Sequence, residues 1–173
     1  GGATGVKLGS VISLIKRTPK DERVLVFVQF MDLLDKVAEA LKDAGIPAVR
    51  LVGTPNQRST IIEAFQEPTL KHGQARVLLL NLRDESAAGA NLTAASHAIF
   101  VHPLLVNSQQ EYTSCDTQAV GRIRRYGQGR VVQLYRFLVA NSIDEDIFRD
   151  RRQADAAELL RDASGAESVA PRA

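Results

Sequence analysis

Apolar positions along the chain switch between two periods, and the switches mark out its elements. Val6, Leu8, Val11, Leu14 and Ile15 recur at helical spacing, followed by Lys16, Arg17 and Lys20 around the helix-stopping Pro19. Residues 23–30, RVLVFVQF, are almost continuously apolar and rich in β-branched side chains, as in a strand buried on both faces. Residues 31–44 return to the helical period. Leu33, Leu34, Val37, Leu41 and Ala44 form the apolar stripe, Asp32 and Lys36 stand four apart on the polar side, and Gly45 supplies the stop. A second strand follows at 47–52. Thr54-Pro55-Asn56-Gln57 then has the form of a capped helix start, with Ile61, Ile62 and Phe65 facing the core. Residues 76–80 make a third strand, wholly apolar after Arg76 and expected at the centre of the sheet. Residues 97–102 make a fourth, closed by Pro103. Ser108 and Glu111 form a capping-box pair opening a helix to about Tyr126, and 130–139 is a fifth strand. Ser142 and Glu145 open a last helix through Leu160. Residues 1–5 are expected to be flexible, 6–162 to form one domain, and 163–173 to be a disordered tail.

Strands alternating with helices in this order predict βαβ units: an α/β fold with a mainly parallel sheet covered by helices on both faces. Working residues in such sheets gather outside the carboxyl ends of the strands. The loops after Phe30, Val52, Leu80, His102 and Val139 are therefore the places for chemistry.

Composition changes this picture mainly by exclusion. The chain has 173 residues, 45% hydrophobic and 24% charged, with a net charge of +2. That is enough for one full core and too little charge to mark a nucleic-acid protein by composition alone. One cysteine, Cys115, rules out an intramolecular disulfide, and the three histidines lack i,i+4 pairing, so no metal site is expected. No apolar run approaches a membrane span and no signal peptide is evident, so a soluble intracellular domain is expected. Tryptophan is absent, which argues against base stacking on single strands.

The candidate chemistry begins with residues 118–128, QAVGRIRRYGQ. Arg122 and Arg125 lie three apart, so on a helix both guanidiniums reach one target. Such forks grip phosphate oxygens. The same pattern also describes an exposed basic helix end favoured by the helix dipole. No G-x-x-x-x-G-K-[ST] loop and no strand-following G-x-G-x-x-G occurs, so the chain lacks a standard phosphate cradle of its own. After the third strand, Ser86-Ala-Ala-Gly-Ala90 would let a phosphate chain or another backbone approach closely, with Asn91 and Thr93 as polar contacts. A turn of small residues that only packs helix on sheet has the same composition.

Taken in order, these loops resemble the C-terminal motor lobe of superfamily-two helicases, and within them the Swi/Snf-type DNA translocases. The resemblance covers about residues 8–148. VLVFVQF at 24–30 resembles the family's fourth motif, GTPNQR at 53–58 the turn and arginine after it, and 86–95 the fifth motif. QAVGRIRRYGQ resembles the sixth, Q-x-x-[GD]-R-x-x-R-x-G-Q, and is the most specific of them. The resemblance implies a RecA-like three-layer sandwich, one of two stacked lobes with ATP in the cleft between them. It implies that Arg122 and Arg125 reach the γ-phosphate, that Gly89 and Gln118 line the nucleotide cleft, and that Gln29, Arg58, Ser86 and Asn91 face nucleic acid. ATP and Mg would be held mainly by an N-terminal lobe not in this chain. The partners implied are that lobe and double-stranded DNA or nucleosomes, with a nuclear location, no membrane and a monomeric fragment inactive alone. Three departures stand out: Asp84-Glu85 in the fifth motif, His102 where the family has an acid, and a longer span around Tyr112 and Cys115. The first of these motivates an alternative, a degenerate lobe kept as a protein-interaction scaffold. An RNA helicase lobe is a lesser one, since those usually lead the sixth motif with histidine rather than glutamine.

Overall fold

The computed structural model describes residues 3–81, 91–102, 109–121, 129–137, 149 and 151. The periodic segments become α1 (Ala3–Arg17), β1 (Arg23–Val28), α2 (Met31–Asp43), β2 (Ala48–Arg50) and α3 (Pro55–Phe65). They are followed by β3 (Val77–Asn81), β4 (Ala95–Phe100), α4 (Gln109–Gly121) and β5 (Gln133–Arg136). Helix α1 starts at Ala3, three residues before the Val6 at which the apolar period begins. The last helix expected from Ser142 and the tail at 163–173 lie outside the described residues, apart from helical positions at 149 and 151.

All four strand pairings are parallel, and the sheet order is β2-β3-β1-β4-β5. This corrects one expectation: β1, not the third strand, is central. Both are interior and equally apolar, with every residue of β1 and the first four of β3 buried, so hydrophobicity alone did not separate them.

Strand alternation divides the core into two layers. Leu25, Phe27, Leu78, Leu80, Ala98 and Phe100 point to the side of Phe65 from α3 and Ala119 from α4. Val24, Val26, Val28, Val77, Leu79 and Ile99 point to the side of Val11 and Ile15 from α1 and Leu34, Val37 and Leu41 from α2. Each such side chain taken from water stabilises the fold by roughly 1.5–3 kcal/mol before the entropy of ordering is subtracted. The result is a three-layer α/β sandwich.

Local signals behave as the residue types require. Thr54 and Gln57 complete a reciprocal capping box around the Pro55 start of α3. In α2 the ion-paired acid is Asp35, to Arg50 of β2, rather than Asp32 with Lys36. At the amino edge of the sheet, the buried Arg76 guanidinium donates to Ile15 O at 2.7 Å, Pro19 O at 2.9 Å, Thr18 Oγ1 at 3.1 Å and Glu22 O at 3.3 Å. It thereby closes the carbonyl end of α1 onto the start of β3. Burial lowers its pKa from the ordinary guanidinium value.

Candidate functional site

Helix α2 leaves β1 toward β2 on one side, and α4 leaves β4 toward β5 on the other. The adjacent strands β1 and β4 thus form the topological switch point, and the crevice outside their carboxyl ends is where α/β sheets bind ligands. Gln29 and Phe30 leave β1 there, and Val101 and His102 leave β4. The Gln29 backbone N–H donates to His102 Nε2 at 3.1 Å, which puts the ring proton on Nδ1. The rings of Phe30 and His102 stack with centroids 5.6 Å apart. Below them Phe27 and Phe100 stack at 5.0 Å, and Val101 N–H bonds Phe27 O at 3.3 Å. His102 thus aims a ring-nitrogen acceptor across the switch point.

Gln29 itself is 5% exposed, while Phe30 and Met31 beside it are about half exposed. A buried Gln29 positions this edge through its backbone. On the flank, the first turn of α3 carries Arg58, whose Nε donates to Gly53 O at 2.9 Å in the turn before it. Gly53 has φ +107°, and a Cβ there would meet the Gln57 carboxamide that completes the capping box. This turn thus requires glycine to seat Arg58. Gln29 and Arg58 are brought to one edge of the sheet.

Asn91 is not with them. Its Oδ1 accepts from Thr93 N–H at 3.3 Å in a turn before β4, and Ala94 N–H bonds Gln66 Oε1 at 2.9 Å at the end of α3. β4 starts opposite the start of β1, so this turn belongs to the amino edge of the sheet. The same edge holds a polar cluster that the apolar pattern hid. His97, 3% exposed in the fully buried strand β4, bonds the Glu22 carboxylate through Nε2 and lies 3.4 Å from Tyr135 Oη through Nδ1. Arg130, just after the arginine motif, reaches Glu22 at 3.4 Å. The one signal for this cluster was a lone histidine in a buried strand.

Ser86, Gly89, Arg122 and Arg125 lie outside the described residues, as do Asp84 and Glu85. Gln118 falls in the last turn of α4, whose backbone alone is described at that position. Among the described residues no group of three His, Cys, Asp or Glu side chains could hold a metal ion. None of the described helices is long and apolar enough to cross a membrane.

The sheet order, the two helical layers and the crevice at β1 and β4 define a RecA-like lobe. The chain belongs to the helicase conserved C-terminal domain family, which it matches over residues 6–127. It is 48% identical over 151 residues to the DNA (cytosine-5-)-methyltransferase DMT5 of Cryptococcus neoformans var. grubii, covering 87% of this chain and 6% of that protein. It is 35% identical over 149 residues to the DNA repair protein RAD5 of Yarrowia lipolytica, covering 85% of this chain and 13% of that one. In three dimensions it matches the C-terminal part of the Fun30 ATPase domain with a TM-score of 0.69 at 26% identity, over 83% of this chain and 44% of that chain. These similarities make it a Swi/Snf-type superfamily-two lobe. The chain spans only a small part of those curated relatives, 6% and 13% of their length.

Proposed function

We propose that this chain is the second motor lobe of an ATP-dependent translocase on double-stranded DNA, serving DNA repair or chromatin remodelling in the nucleus. The observation that carries the reading is structural: in a RecA-like sheet, α4 leads directly into the motif that holds Arg122 and Arg125. With no phosphate cradle in the sequence, nucleotide and Mg would rest mainly on an N-terminal lobe docked against this one. Gly89 and Gln118 would line the shared cleft. Arg122 and Arg125 would meet charge developing on the transferred phosphoryl group, a contribution on the order of 10³–10⁵ in rate. ATP with Mg supplies the phosphoanhydride whose hydrolysis drives motion. Arg58, with Ser86, would hold DNA phosphates without reading sequence, and Gln29 would hold that edge in shape. Relatives bear the names of DNA repair proteins and a DNA methyltransferase, which favours DNA over RNA as the track.

The test is hydrolysis by the full-length protein. Duplex DNA should stimulate it, RNA should not, and Arg125→Ala should abolish it without unfolding the protein. Undiminished turnover in that variant refutes the assignment. Absence of DNA-stimulated turnover in the unaltered protein would favour the scaffold alternative. The isolated chain should hydrolyse no ATP and bind DNA weakly, with strong salt dependence.

A further inference from the structure

The amino edge of the sheet, opposite the switch point, carries a groove of about 700 Å³ with a distinct chemistry. Lys16 lines it from the last turn of α1, Lys20 from the turn that follows, and Lys71 from the loop before β3. Ile46, Pro47 and Leu70 give it apolar walls. All three lysines are exposed, and among the described residues none of their ammonium groups is in an ion pair. Arg76 adds a fixed charge at the base, and Asp21 is the one acid among the lining residues.

Lysine at a helix end is ordinarily explained by the helix dipole, so the magnitudes must decide. Four cations against one carboxylate leave three positive charges in the groove. The C-termini of α1 and α2 subtract only about half a charge each. About two charges remain uncompensated. Lys71, moreover, sits on a loop, where no dipole accounts for it. The occupant should therefore be an anion, and the apolar walls specify its kind. A nucleic-acid backbone has no use for Ile46, Pro47 and Leu70. A peptide carrying carboxylates beside apolar side chains matches both features.

We infer that this groove, at the edge of the sheet opposite the switch point, is a docking site for an acidic, leucine-rich type of peptide segment on a partner protein. The inference does not depend on the translocase reading, because binding is measured without ATP or DNA. The test uses the 173-residue chain and a short fluorescein-labelled peptide of glutamates and leucines, read by anisotropy at low salt. Comparison peptides replace glutamate by glutamine, or leucine by serine. A short DNA duplex serves as the competing class of ligand. The Glu/Leu peptide should bind at least about tenfold tighter than either comparison peptide. The combined change Lys16→Gln, Lys20→Gln, Lys71→Gln should weaken it about tenfold, or ~1.4 kcal/mol. Amide shifts in the unaltered chain should concentrate at Ile46, Leu70 and His72, which keeps the test independent of how the variant folds. Equal affinity for the glutamine peptide, binding unchanged in the lysine variant, or shifts centred elsewhere would each overturn the proposal. So would duplex DNA binding these lysines more tightly than the peptide.

Discussion

Replacing Arg76 by methionine keeps most of the buried stem and removes only the guanidinium. Four hydrogen bonds disappear, two of them short, to Ile15 O at 2.7 Å and Pro19 O at 2.9 Å. Bonds to a charged donor contribute roughly 1.5–3 kcal/mol each, and recovered desolvation of the guanidinium offsets part of that sum. Two acceptors are not orphaned: Ile15 O keeps Thr18 Oγ1 at 2.6 Å, and Pro19 O keeps Glu22 N–H at 3.0 Å. The balance is a loss of about 2–3 kcal/mol, well below the several kcal/mol expected for stranding buried polar groups. Urea unfolding followed by far-ultraviolet circular dichroism measures it. With a slope of about 2 kcal/mol per molar, the midpoint should fall by about 1–1.5 M at unchanged slope. Arg76→Lys, with one ammonium for four dispersed acceptors, should fall in between. A midpoint that moves by less than about 0.25 M would refute the reasoning that Arg76 holds α1 to the sheet.

Other substitutions probe the remaining links. His102→Ala removes the acceptor of the Gln29 N–H and the ring stacked on Phe30, and should cost about 2–3 kcal/mol in the same assay. His102→Asp restores an acceptor at that point and should recover about half of the loss; no recovery would mean that only the ring matters. Gly53→Ala forces an L residue to φ +107° against Gln57 and should lower stability by about 1–3 kcal/mol, visible as a shift in melting temperature. In full-length protein, Arg58→Ala should weaken duplex DNA binding and reduce the salt slope by about one ion. Asn91→Ala, on the opposite edge, should leave duplex affinity unchanged; a loss of affinity equal to that of Arg58→Ala would contradict the placement of Arg58, and not Asn91, on the DNA side.

Pattern and spacing along the chain were enough for the elements among the described residues and for the family. Strand runs such as 24–28 are buried on both faces and so are continuously apolar, and α2 and α3 carry their stops and caps in adjacent residues. These are local or periodic effects, legible without knowing what packs on what. The motif at 118–128 could be read as a family signature for the same reason: its pattern lies within one short stretch. Pairing order was not. β1 and β3 are both apolar enough for the centre, and only long-range packing put β1 between β3 and β4. Nor could sequence show that Gln29 is buried against His102, that Asn91 turns at the other edge, or that Glu22 joins His97 and Arg130. The first and the last depend on groups tens of residues apart meeting at one end of the sheet, and for all three the topology alone decides which end that is.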